Sequence, residues 1–183
     1  MQELSLHLLD IVQNSVVANA TQITIEVTEC PKADTYTIEI IDNGSGIDAE
    51  TLTQIADPFY TTRTTRKIGM GIALLKHSAE QAGGSLSIES EEGSGTKIKA
   101  LFSFGHIDRP IMGDIAGTMT LLIGSYPLIR FIYNHHTPLS DFEFDTKEVK
   151  VELEGVPINK PEILRFLKEL INENLAWIEA KLT

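Results

Sequence analysis

Asp42 is followed by Asn43, Gly44, Ser45, Gly46 and Ile47. An alternating apolar run (Tyr36, Ile38, Ile40) leads into it, so the carboxylate stands at a strand end, beside backbone without side chains at 44 and 46. A carboxylate so placed can accept an amino proton while a flat ring slides in beside it. Taken alone, the run is also an ordinary Asp-Asn-Gly turn. Its companions give it weight. Asp10 and Asn14 lie four positions apart on a helix-like run and therefore share a face. Arg63, Arg66 and Lys67 gather within five positions, three of the seven cations in the first 104 residues. In an acidic segment a triphosphate explains that clustering; a solvated basic loop is the alternative. Gly69, Met70 and Gly71 come next and open a helix, where bare backbone amides and the helix dipole favour phosphate. Gly93, Ser94 and Gly95 form a glycine turn before Thr96, which starts a strand.

The elements that must position these residues follow from periodicity. Residues 3–19 form an amphipathic helix, with Leu4, Leu8, Ile11 and Ser15 on one face. Strands run over 21–28 and 35–41, around a polar turn at 30–34. A short helix spans 48–55 with Asp48 as cap. Residues 57–68 are polar and threonine-rich and suggest a mobile loop. A helix over 70–81 is stopped by Gly83 and Gly84, and strands follow over 85–89 and 96–104. Beyond that, Pro110 opens a helix over 110–125. A strand over 128–133 pairs with 142–144. Residues 146–153 read as a helix capped by Asp145 or as an alternating strand, with the helix favoured. A helix over 161–182 places Ile163, Phe166, Leu167, Leu170, Ile171, Leu175 and Ile178 on one side. The fold class is α/β, with two units: 1–104, and a small α+β C-terminal extension over 105–183.

Composition narrows the function. The 183 residues carry a net charge of −11, and neither part of the chain is basic, so an electrostatic footprint for nucleic acid is absent. Any phosphate site must use backbone amides and a few placed cations. The single cysteine, Cys30, has no partner for a disulfide or a zinc motif. No run has the length of a membrane span, and the N-terminus has no signal pattern, so a cytoplasmic protein is expected. His135 and His136 have no carboxylate, cysteine or further histidine spaced for a metal, and His77 reads as a partly buried helix histidine.

In this order and at these spacings, the motifs over about 3–104 resemble the nucleotide site of the GHKL (Bergerat-fold) superfamily, which includes DNA gyrase, heat-shock chaperones, histidine kinases and mismatch-repair ATPases. The resemblance is strongest to the ATP-binding domain of histidine kinases, and the helix over 10–20 is also close to the mismatch-repair version. It implies a two-layer α/β sandwich, a mixed sheet covered on one face by helices, that binds ATP with Mg2+. It implies that Asp42 receives the adenine amine, that Gly44, Gly46 and Ile47 shape the adenine slot, and that Thr96 bonds the adenine region. Asn14 matches the Mg2+ ligand, and an amide oxygen suits that hard ion. Arg63, Lys67, Gly69, Met70 and Gly71 match the lid and phosphate loop, with Phe59 anchoring the lid. Histidine kinases carry glycine where Lys67 stands, so this lysine either touches the γ-phosphate or stiffens the lid. Asp10 matches the general base, which is usually glutamate. The shorter side chain withdraws the carboxylate from the water it must reach, so binding is expected more firmly than catalysis.

A sensor kinase needs a phosphoacceptor histidine module ahead of this domain, and nothing around His7 resembles one. Three functions follow. The first is an ATP-binding signalling protein that acts on a protein partner through 105–183. The second is a kinase or slow ATPase that moves the γ-phosphoryl to a separate partner, as anti-sigma-factor kinases do, or to water. The third is a nucleotide-free interaction module, which the intact Asn14, Asp42, Gly46, Gly69, Gly71 and Thr96 argue against. No membrane or nucleic-acid partner is expected.

Overall fold

The computed structural model describes residues 3–55 and 71–182. Helix α1 (Leu4–Val17) is followed by strands β1 (Gln22–Cys30) and β2 (Thr35–Asp42), which are joined by a short 3-10 turn at Pro31–Ala33. Helices α2 (Ala49–Ile55) and α3 (Gly71–Gln81) precede the hairpin of β3 (Ser85–Glu91) and β4 (Gly95–Ser103). Then come α4 (Ile115–Ser125), the hairpin of β5 (Arg130–His136) and β6 (Asp141–Asp145), α5 (Thr146–Glu152) and α6 (Pro161–Trp177).

The strands form one mixed sheet in the order β3-β4-β2-β1-β5-β6. Antiparallel pairing joins β1 to β2, β2 to β4, β3 to β4 and β5 to β6. The exception is β5, which lies parallel to β1 from Gln22↔Arg130 to Thr28↔His136. Residues 105–182 therefore continue the sheet that the first segment begins. The period of two along each strand sorts the faces. Ile23, Ile25, Val27, Tyr36, Ile38, Ile40, Ala100, Phe102, Phe131 and Tyr133 are buried beneath the helices. The opposite face is polar, and on it Glu39 pairs with Lys97 at 2.8 Å and Lys99 at 2.9 Å. One-sided covering suits a largely antiparallel sheet, whose polar face water can solvate. The result is a two-layer α/β sandwich.

The helices meet this face with their own apolar stripes: Leu4, Leu8, Ile11 and Val12 of α1, Leu75 and Ala79 of α3, Met119, Leu122 and Ile123 of α4, and Leu167, Ile171 and Leu175 of α6. Each such side chain contributes roughly 1.5–3 kcal/mol by leaving water. Helix α1 has no side-chain cap. Instead, Leu4 and Ser5 donate their amides to the carbonyls of Ile111 and Met112, both at 2.9 Å, so the C-terminal segment supplies acceptors that the first turn lacks.

Two helix boundaries and one buried face differ from the sequence expectation. Helix α4 starts at Ile115, not near Pro110, because the Asp114 carboxylate accepts the Gly117 amide at 2.8 Å and caps it there. Helix α6 ends at Trp177, before Leu182, and Glu179 takes a left-handed φ of 54° just beyond it. On α6, Phe166 is not on the buried side but is 59% exposed. The segment over 146–152 is helical, with Asp145 accepting the Lys147 amide, and its β5–β6 neighbours pair as expected.

Candidate functional site

The site is built where β2 ends. Asp42 faces the helical layer and is held by two donors: the Ser15 hydroxyl of α1 to Oδ2 at 2.6 Å, and the Gly44 amide to Oδ1 at 2.9 Å. An ionised carboxylate offers about four acceptor positions, so capacity remains for a ligand amine. Asn43 pins the turn from outside. Its Oδ1 accepts the amides of Thr21 and Gln22 at 2.9 Å, and its Nδ2 donates to the Thr21 hydroxyl. The carboxylate is therefore fixed before anything binds.

The glycines of the turn have backbone reasons to be glycine. Gly46 adopts φ +69°, and a Cβ there would lie 2.0 Å from the Glu91 carbonyl oxygen. At Gly44 a Cβ would meet Ala18 at 2.9 Å. The Ser45 amide donates to the Ala18 carbonyl at 2.9 Å, and the Ser45 carbonyl accepts the Gly93 amide at 2.8 Å. The loop is thus pressed between the end of α1 and the β3–β4 turn.

Thr96 lies directly across from Asp42 in the β2–β4 register. Its hydroxyl is 2.9 Å from Ser90 Oγ, which also donates to the Gly95 carbonyl and accepts the Ile47 amide at 2.8 Å. Ser90 joins three expected features in one network: the turn after Asp42, the glycine hairpin and Thr96. An open hollow of about 330 Å³ runs past these strand ends, with Asp42, Ser90, Gly95 and Thr96 in its wall.

Asp10 and Asn14 lie on α1, Asp10 exposed and Asn14 half-buried. Asn14 Nδ2 is buried and has no hydrogen-bond partner. Half a turn of the amide exchanges its nitrogen and oxygen, so this side chain has an unspent polar atom to offer a hard cation or a phosphate. Gly71 opens α3 against Asp10: a Cβ there would lie 2.7 Å from the Asp10 Cβ. That contact brings the N-terminus of α3 to the aspartate-bearing face of α1. His7, on α1 ahead of Asp10, is 2% exposed, and neither ring nitrogen has a partner. Burial lowers its pKa, and the nearby Asp10 charge offsets part of that shift.

Asp10, Asn14, Asp42, Gly44, Gly46, Ile47, Gly71 and Thr96 are thus all placed, on α1, the end of β2, the start of α3 and β4. Arg63, Lys67, Gly69 and Met70, with Arg66 and Phe59, lie outside the described residues. Sequence reasoning missed Ser15 and Ser90 as site residues. Ser15 carried a signal, a hydroxyl on the apolar face of α1 that needs a buried partner. Ser90 carried none beyond strand alternation.

At the other end of β1 the histidines do have carboxylates, contrary to expectation. His135 is fully buried, with Nε2 2.8 Å from Glu29 and Nδ1 2.7 Å from the Tyr133 hydroxyl, and His136 Nδ1 lies 2.8 Å from Asp141. Strand pairing across the sheet, not sequence spacing, brings these groups together. Among the described residues no group of three or more metal-binding side chains occurs. His77 is exposed.

A family model described as histidine kinase-, DNA gyrase B- and HSP90-like ATPase matches residues 2–106. A putative sensor protein of Shewanella frigidimarina (strain NCIMB 400) is 34% identical over 109 residues, covering 58% of this chain and 17% of that protein. The sensor histidine kinase ZraS of Escherichia coli (strain K12) is 33% identical over 89 residues, covering 49% of this chain and 19% of the relative. The chain thus spans less than a fifth of the length of these relatives. Among solved structures, the N-terminal domain of a DNA repair protein shares the fold, with a TM-score of 0.50 at 20% identity, over 78% of this chain and 52% of that one. With more than half of its residues matched by the family model, this chain belongs to the histidine kinase-, DNA gyrase B- and HSP90-like ATPase family.

Proposed function

We propose that the protein binds ATP with Mg2+ at the end of β2 and acts as a cytoplasmic signalling component on a protein partner reached through 105–183. The observation that carries this reading is Asp42, fixed by Ser15 and Gly44 with acceptor positions to spare, directly across the sheet from Thr96. A carboxylate acceptor at that point favours adenine, which presents an amine, over guanine, which presents a carbonyl there. Thr96, with Ser90 and Ile47 behind it, supports the other edge of the base. Asn14, with its unspent amide, suits the metal. Gly71 and the start of α3 suit phosphate, and the resemblance in motif order supports giving Gly69, Met70, Arg63 and Lys67 the same task. A bound Mg2+ would supply charge neutralisation between phosphate oxygens.

Asp10 favours a second reading, as a kinase or slow ATPase. It is exposed on the α1 face that Gly71 abuts, where a base for water or a hydroxyl would be wanted. One experiment separates the two readings. The protein is incubated with γ-labelled ATP and Mg2+, and retained nucleotide and released phosphate are followed together. Retention with very slow release, unchanged in Asp10→Asn, supports the switch. Steady release that Asp10→Asn abolishes supports transfer. No retained nucleotide contradicts both.

A further inference from the structure

Helix α6 carries two apolar stripes. At about 100° per residue, Leu167, Ile171, Leu175 and Ile178 fall in one arc and are buried in the core. Roughly a third of a turn away lies a second stripe: Ile163, Phe166, Leu170 and Trp177, spaced by three, four and seven as in helices that receive another helix. Ile163 and Leu170 pack partly on the core, whereas Phe166 is 59% and Trp177 69% exposed. Aromatic side chains in such positions are the anchors of interfaces. The solvent border of this stripe is an exposed row of Glu162, Glu169 and Glu173. The two cations of α6 lie elsewhere: Lys168 donates to Asp114 at 2.6 Å, and Arg165 is exposed behind the glutamates.

We infer that this face of α6 docks an amphipathic helix of a partner protein, with an apolar stripe against Phe166, Leu170 and Trp177 and a row of lysine or arginine against Glu162, Glu169 and Glu173. The charge pattern selects that occupant. A second copy of this chain brings a net charge of −11 and the same row, and antiparallel two-fold pairing of α6 with itself sets glutamates against glutamates. An anionic membrane surface is repelled for the same reason. The inference rests on the proposal that 105–183 faces a partner, and it uses no residue of the nucleotide site.

Trp177 is the sole tryptophan, so its emission reports docking directly. The probes are two synthetic helical peptides of about 18 residues, long enough to hold a helix, with the same leucine stripe and a flanking row of either lysine or glutamate. The lysine peptide shifts Trp177 emission to the blue and binds more weakly as salt rises, and the glutamate peptide does not bind. Phe166→Ala weakens the lysine peptide by about tenfold or more, and Glu169→Lys with Glu173→Lys transfers preference to the glutamate peptide. These positions are exposed, so melting temperatures stay unchanged. No emission shift with either peptide, equal binding of both, self-association through α6 in sedimentation, or preferential binding to phosphatidylserine vesicles overturns the inference. ATP titration of the same samples keeps the two ideas apart. Intact nucleotide binding without peptide docking rejects this surface alone, and peptide docking without nucleotide binding rejects the nucleotide site alone.

Discussion

At the residue scale, Asp42, Asn14, His7 and Gly46 each make a separate forecast. Asp42 is oriented by Ser15 and Gly44, so Asp42→Ala should abolish adenine-nucleotide binding with little change in melting temperature, and Ser15→Ala should weaken it by loosening the carboxylate. Calorimetric affinities and a thermal melt on the same samples check this. Asn14→Ala should remove Mg2+ dependence more than adenine affinity; metal dependence that survives the change excludes Asn14 as ligand. His7 is buried without partners and its pKa is lowered by that burial. The unfolded chain takes up this proton near pH 6.5, and the folded chain only at lower pH. Between those values the unfolded state binds more protons. The stabilisation is therefore fully present above about pH 6.5 and declines as pH falls toward the folded-state value. In His7→Leu the melting temperature should lose that dependence between pH 7 and 5, and an unchanged slope means another group titrates there. Gly46→Ala combines a left-handed φ with a Cβ aimed at the Glu91 carbonyl and should cost about 2 kcal/mol or more in urea unfolding.

Periodicity made most of the elements legible. Helix α1, the alternating β1, β2 and β4, and α3 with its Gly83 stop lie within a residue or two of expectation, because each has one buried face and a turn residue at its end. Where the sequence misled, a competing local signal was present. Pro110 is a valid helix opener, yet Asp114 caps the helix because its carboxylate reaches the Gly117 amide. Phe166 falls at helical spacing with the core residues of α6 and still faces solvent, because periodicity cannot tell a buried stripe from an exposed one beside it. Of the candidate site, motif order singled out Asp42, Gly46 and Thr96, and the structure sets them beside one another at the end of β2 and the start of β4. Ser15 showed only as a hydroxyl on an apolar helix face, and Ser90 not at all, since the long-range hydrogen bonds that make them supports leave no spacing in the chain. The meeting of α1 and α3 was likewise hidden. It predicts that Gly71→Ala pushes α3 off Asp10 and destabilises the protein by about 1–3 kcal/mol, measured by denaturant unfolding.

At the scale of the molecule, the C-terminal segment completes the sheet and core that the candidate site stands on. β5 pairs with β1 over seven registered residues, the carbonyls of Ile111 and Met112 satisfy the start of α1, and α4 and α6 bury much of the helical layer. Removing 105–183 should therefore leave 1–104 unfolded or aggregating, with the β1 edge unpaired; a soluble, cooperatively melting fragment contradicts this. In the proposed reading, α4, which packs against both α1 and α6, is the element that would link nucleotide binding to the partner. The proposed function depends on one claim, that the end of β2 is an adenine site. Calorimetric titration with ATP and GTP, each with and without Mg2+, on the intact chain and on Asp42→Ala, tests it most directly. The expected result is ATP binding enhanced by Mg2+, no GTP binding, and loss of both ATP signals in Asp42→Ala. Equal binding of the two nucleotides, or ATP binding that survives the loss of Asp42, contradicts it.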